Sequence, residues 1–210
     1  DDDDDSTGDD DDSAVSNVQA PPAPEDFEAL ALYARQDLLQ SYTVDVNALG
    51  YINGEQGTVL SFLGPDSLSH QDGTPVTGDV TVSLLEVFDK GTMLVANMPT
   101  AGLTETGEIA QLISGGEHFV NATQEGEQLL LNGGFVLTAP VAENEENPDG
   151  MGLFRDEEPG DGDALEDEVL WVEEEQNPEG FAVMWEDDLT GNGEGVATGY
   201  WAFSSQFGWT

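Results

Sequence analysis

The chain has 210 residues, with 45 Asp and Glu against three Lys and Arg, no Cys, and a formal net charge of −42 at pH 7. No basic patch exists for nucleic-acid phosphates, and disulfides and thiolate metal sites are excluded. The length suffices for one large or two small domains with a real core.

The acids are spread along the chain rather than gathered in one loop, and the three basic residues are Arg35, Lys90 and Arg155. Such a surface repels itself and is relieved by salt, which points to a saline milieu; the competing reading is a protein that collects divalent cations. No apolar run reaches membrane-span length. The sequence begins without Met or a signal peptide, so a processed or trimmed product is expected.

Residues 1–12 hold nine Asp, and 13–24 are small residues and Pro; together they read as a solvated acidic leader and spacer. The pattern then predicts a helix over 25–40. Glu25, Asp26 and Glu28 sit near its positive end, Arg35 lies toward the other, and Phe27, Leu30, Ala31, Ala34 and Leu38 form an apolar stripe expected to pack on a sheet.

Strands follow. Ser41–Asn47 alternates with Tyr42, Val44 and Val46 on one side, and Gly50–Asn53 ends in the hairpin signal Asn53-Gly54. Gly57–Leu63 and Asp79–Phe88 are strands joined by a polar crossing loop, and Val80, Val82 and Leu84 share a face opposite Thr81 and Ser83. Met93–Ala96 reads as a short strand or turn. Ile109–Ile113, Glu117–Thr123, Gln128–Leu131 and Phe135–Thr138 are further strands, the last two flanking Asn132-Gly133-Gly134 as a hairpin.

Residues 142–168 are acid-rich, with only Met151–Phe154 able to form a strand, and read as a surface loop or link. Val169–Glu173, Phe181–Glu186 and Val196–Ser204 are aromatic-rich strands carrying Trp171, Trp185 and Trp201. The sequence stops soon after an aromatic run, so more chain is expected beyond Thr210.

These elements predict an all-β fold, a Greek-key β-sandwich with one short N-terminal helix and a disordered acidic leader. The expected organisation is leader and spacer over 1–24, helix plus sandwich over 25–140, acidic loop or linker over 141–168, and a second β unit or sheet extension over 169–210.

Residues 50–123 resemble a family of extracytoplasmic Bacteroidota proteins with a ZU5-like sandwich module. The resemblance is carried by Ile52-Asn53-Gly54-Glu55-Gln56-Gly57-Thr58, by Gly73-Thr74-Pro75-Val76-Thr77-Gly78-Asp79-Val80, by Glu86 at the close of the next strand, and by Ser114-Gly115-Gly116-Glu117-His118-Phe119. It covers about a third of the chain. It implies a lipoprotein or surface protein of adhesive or unknown role and transfers no catalytic residue, because the shared positions are turns and core strands. The acidic leader is similar to the segment after the lipidated Cys of such proteins, although that Cys is absent here.

No catalytic constellation emerges. Carboxylate pairs carry no information in a chain so rich in acids, and His70 and His118 stand alone, without a nucleophile-elbow or zincin context. They read as surface or packing histidines. The best metal candidate is the turn Asp187–Glu194, in which Asp188, Thr190 and Asn192 are candidate Ca²⁺ ligands and Gly193 takes the sixth place of a calcium loop. Gly199 stands where an EF-hand has its bidentate Glu, so an EF-hand is ruled out, and an ordinary hairpin turn is the competing reading. Asp161, Asp163, Glu166 and Asp167 form a looser second candidate.

The expected function is therefore a non-catalytic cell-surface or extracellular module for adhesion, binding or display. Its partner would be a protein or a surface glycan, with no nucleic acid, no inserted segment and any lipid anchor lying upstream of residue 1. The alternatives are a self-associating subunit of an extracellular fibre or sheath, and an accessory domain of an extracellular enzyme.

Overall fold

The computed structural model describes residues 23–132, 135–140, 152–156 and 169–173, and the strand backbones of 181–185, 199–205 and 208–209. Helix α1 (Pro24–Leu38) leads into β1 (Gln40–Asp45), β2 (Tyr51–Asn53), β3 (Val59–Phe62), β4 (Leu68–Ser69) and β5 (Asp79–Val87). After the short helix α2 (Lys90–Val95) come β6 (Ala101–Leu103), β7 (Ile109–Gln111), β8 (Glu117–Gln124), β9 (Glu127–Gln128), β10 (Leu130–Leu131) and β11 (Phe135–Pro140). The remaining strands are β12 (Phe154–Asp156), β13 (Trp171–Glu173), β14 (Phe181–Trp185), β15 (Gly199–Ser205) and β16 (Gly208–Trp209).

The fold is all-β. One sheet runs β1-β5-β8-β16, with β9 also paired to β8, and a second runs β14-β15-β11-β3-β2. A third, β12-β13-β6-β7, contains a parallel pair, β13 with β6, and β10 pairs with β4. The late strands thus complete sheets begun by early ones, β15 along β11 and β16 along β8.

Strand alternation decides which side of β5 and β8 meets which core. Val80, Val82 and Leu84 of β5 join Val120 and Ala122 of β8 in one cluster with Ile52, Leu60, Phe62, Phe135 and Leu137 of the second sheet. The odd positions Leu85, Val87 and Phe119 join a second cluster with Met93, Ala96, Met98, Val169 and Trp171. Full burial of each such side chain contributes about 1.5–3 kcal/mol, and this central strand pair contributes to both clusters. The expectation of a half-buried β5 holds only for its first half: from Leu84 to Val87 every residue is buried, because helices and the third sheet cover the second face.

Three local expectations are corrected. The stripe on α1 is packed only in its second half, where Ala31 is buried and Ala34 and Leu38 are half-buried, while Phe27 and Leu30 are exposed. Arg35, one turn beyond Ala31 on the same face, is buried instead. Residues 90–95 form a helix where Met93–Ala96 reads as a short strand or turn, and the Asp89 carboxylate caps it by accepting from Thr92 N at 2.9 Å. The strands flanking Asn132 do not form a hairpin, since β10 pairs with β4 and β11 with β3 and β15. The tight hairpin lies earlier, between β8 and β9, where Glu125 and Gly126 both take positive φ (53° and 86°), as a two-residue turn of this hand requires.

Candidate functional site

Both faces of the β5–β8 pair carry a buried polar group where the apolar alternation predicts an aliphatic one. On the first face these are Glu86 and His118, which stand opposite each other in the register; on the second it is Glu117, opposite Val87. Glu86 is fully buried, and His118 and Glu117 are nearly so. A carboxylate is tolerated there only if its lone pairs are filled.

They are filled by the β2–β3 loop. Asn53-Gly54 does not make a two-residue turn; the loop closes through Gly54 N to Thr58 O at 2.7 Å and Gly57 N to Gly54 O at 3.3 Å, with the positive φ (102°) at Gly57. This wraps backbone donors around Glu86. Thr58 N donates to Oε1 at 2.9 Å, and Gln56 N donates to Oε2 at 3.0 Å. The Gln40 amide of β1 adds a third bond to Oε2 at 2.8 Å, while its own oxygen accepts from Tyr42 Oη (2.6 Å) and Glu55 N (3.0 Å). Gln56 Nε2 donates to the Glu86 carbonyl at 2.8 Å. Gly54 is needed because a Cβ there would collide with the Glu86 carboxylate. Burial by itself pushes the Glu86 carboxyl up, but the bonds from Thr58, Gln40 and Gln56 overcome it and hold the group below the usual carboxylate range.

Thr58 links this anion to His118. Its Oγ1 lies 3.1 Å from His118 Nε2, and its side chain is among the groups that hold the Glu86 carboxyl down. A hydroxyl donates once, and the carboxylate only accepts, so the consistent assignment is His118 Nε2–H donating to Thr58 and Thr58 donating to Glu86. Burial pushes the His118 imidazole down to about 4, with Glu86 pulling it back up, and it is neutral at pH 7. The ring meets Phe88 edge-on at 5.3 Å, and Gly116 (φ 150°) leaves the space both rings occupy.

On the opposite face Arg35 of α1 reaches between the helices. Its Nε donates to Ala96 O at 2.9 Å and its Nη2 to Asn97 O at 3.3 Å, tying α1 to the end of α2. Burial pulls Arg35 below its ordinary value and the charge on Glu117 pushes it back. The Glu117 carboxyl is pushed up to about 7 by burial, against a hydrogen bond from Ser114 and the Arg35 charge, and its Oε2 is buried without a hydrogen-bond partner.

Thr58, Glu86 and His118 are shut away from solvent, and their bonds go to the protein's own loop. What they do chemically is fasten the 54–58 loop and β1 to the central strands.

The residues singled out in the sequence fall elsewhere. Asp188, Thr190 and Asn192 lie outside the described residues, as do Asp161, Asp163, Glu166 and Asp167. Among the described residues no group of three or more His, Asp or Glu is placed to hold a metal ion. His70 is half-buried in a turn of the crossing loop, its backbone N–H donating to Thr74 O at 3.0 Å. Glu86 and Glu117 were hidden by the abundance of acids. Glu86 nevertheless continues the even-numbered face of Val80, Val82 and Leu84, and that phase marks it as an acid on the core side.

Compared with protein-family models, curated proteins and solved structures, the chain matches none of them. Among the described residues, no helix is long and apolar enough to cross a membrane.

Proposed function

We propose that the protein is a non-catalytic β-sandwich module displayed at the cell surface or outside the cell, acting by binding or adhesion. One observation carries the reading: the best-formed ionisable cluster among the described residues, Glu86–Thr58–His118, is closed to solvent and bonded to its own loop, leaving the outer surface to meet partners. The resemblance to ZU5-like surface lipoproteins supports the same reading. So does the charge of −42, which suits a milieu rich in screening cations.

Protease shaving of intact cells of the producing organism tests display. The expected result is loss of the protein before lysis, and protection until lysis overturns it. Sedimentation velocity in Ca²⁺ and in chelator, at matched ionic strength, separates the alternatives. A monomer in both buffers supports a displayed module. Assemblies only with Ca²⁺ favour a cation-bridged fibre subunit and give the Asp188 turn its role.

The same charge makes a stability prediction. Raising ionic strength from 0.1 M to 1 M shortens the Debye length from about 10 Å to about 3 Å, so the acids stop repelling across the surface. The expected outcome is a Tm higher by on the order of 10 °C in 1 M KCl than in 0.1 M KCl, with the gain persisting in chelator. A Tm that rises only with Ca²⁺ would instead assign the acids to a cation site.

A further inference from the structure

Strand β7 is the outer described strand of its sheet, paired only with β6. The register sets Ala101 opposite Gln111 and Leu103 opposite Ile109. The bonds Leu112 N to Thr100 O (2.8 Å) and Thr104 N to Glu108 O (2.9 Å) fix its phase. Residues 108, 110 and 112 therefore turn their backbone groups toward β6, and 109, 111 and 113 turn theirs to the open edge. Side chains follow the same alternation. Leu112 packs against the second core cluster, whereas Ile109 and Ile113 are 82% and 78% exposed and Gln111 is exposed between them. The stretch 109–113 holds none of the Pro, Lys or inward charges that usually blunt a free edge.

We infer that this edge binds an extended segment of a foreign, cationic protein, which adds as a strand beside β7 and covers Ile109 and Ile113 with its own apolar residues. The inference rests on the reading of the chain as a binding module and names the surface it uses. Charge selects the occupant. Glu105 and Glu108 are exposed in the turn of the β6–β7 hairpin, so two acids stand where the added strand would end. A second copy brings another −42 and only three basic residues, one of them the buried Arg35. A partner strand alternating Val or Thr with terminal Lys meets both the isoleucines and the acids, and would be steered to the edge by the field of the whole protein.

The test uses the whole chain and three synthetic peptides: a basic Val/Thr strand former with Lys at its ends, its Glu-ended counterpart, and a Lys-ended control with Pro at alternate positions. Amide hydrogen exchange is read at Ile109, Gln111 and Ile113. The basic strand former is expected to slow these three amides at least tenfold, and the Pro control is expected to leave them unchanged. Gln111→Pro removes an outward N–H without touching the bonds to β6, and is expected to weaken binding at least tenfold with the melting temperature little altered. Glu105→Gln with Glu108→Gln should weaken it about threefold in low salt. Equal protection by the Pro control, affinity unchanged in Gln111→Pro, no binding of the basic peptide, or protection that rises with protein concentration alone would each overturn the inference. The last result would assign the edge to a second copy. Display on intact cells is read separately by shaving, so a displayed protein with an unprotected edge loses this inference alone.

Discussion

Replacing Glu86 by Ala is expected to destabilise the fold by about 3–5 kcal/mol, the size found when one member of a buried, hydrogen-bonded charged set is removed. The cause is what stays behind. Thr58 N, Gln56 N and the Gln40 amide all point at the vacated position, and the loop cannot turn them to water without opening the β2–β3 hairpin. Glu86→Gln is the sharper variant, because it keeps the shape. Donors approach both oxygens, so whichever way the new amide is placed its NH₂ faces an N–H. Gln40 cannot turn to help, since its oxygen already holds Tyr42 Oη and Glu55 N. A loss of about 2–3 kcal/mol is expected, read as a lower urea midpoint at unchanged m-value. A Glu86→Gln protein within about 0.5 kcal/mol of wild type would mean that the loop does not hold the carboxylate as described. The sign with pH follows from the lowered carboxyl. Its contribution is present above the unfolded value of 4.5 and is lost as pH falls through the folded value, so the variant and wild type should converge in acid.

Glu117→Gln should expose a pH dependence that the wild type conceals. The Glu117 carboxyl is raised from 4.5 to about 7, so the folded state holds its proton more tightly than the unfolded chain does. That contribution is fully present below about pH 4.5 and is lost as pH rises to about 7. The His118 imidazole is lowered from 6.5 to about 4, so its contribution is present above pH 6.5 and is lost as pH falls to about 4. Each amounts to on the order of 3 kcal/mol, and between pH 4.5 and 6.5 the two slopes oppose each other. In Glu117→Gln only the His118 slope remains, and stability should fall steeply on acidification through that window. The variant should also exceed wild type at pH 7.5 and approach it near pH 4.5. His118→Gln, which keeps an N–H for Thr58, should tilt the other way and lose stability as pH rises from 4.5 to 7. Taking wild type minus variant removes the background of the other acids. Equal slopes in wild type and Glu117→Gln would show that the carboxyl titrates normally.

The central strands were legible because Val80, Val82 and Leu84 alternate without interruption, and a period of two is set by the backbone alone. The aromatic segments 169–173, 181–186 and 196–204 contain β13, β14 and β15 within a few residues at each end, for the same reason. Helix α2 was missed because Met93–Ala96 by itself reads as a short strand or turn, and the helix begins earlier, at the Asp89 cap. Asn132-Gly133-Gly134 misled because turn composition says that the chain bends, not which strands then pair. The Glu86 site was half legible. Its phase placed an acid on the core face, but nothing local could show that the 54–58 loop, some thirty residues earlier, supplies the donors.

The sequence by itself determined the strand-rich class, the absence of thiol chemistry and a surface that repels phosphate, since these follow from composition and from local alternation. Tertiary structure decided the rest. It covered the second face of β5 with helices and a third sheet, buried Arg35 in place of Phe27 and Leu30, and left Ile109 and Ile113 exposed along the outer described strand of that third sheet. Among the described residues it also made Glu86 and Glu117 buried groups with opposite behaviour, Glu86 lowered and Glu117 raised. The physical reason is that a carboxylate's energy depends on which donors surround it, and those donors are brought in from distant parts of the chain.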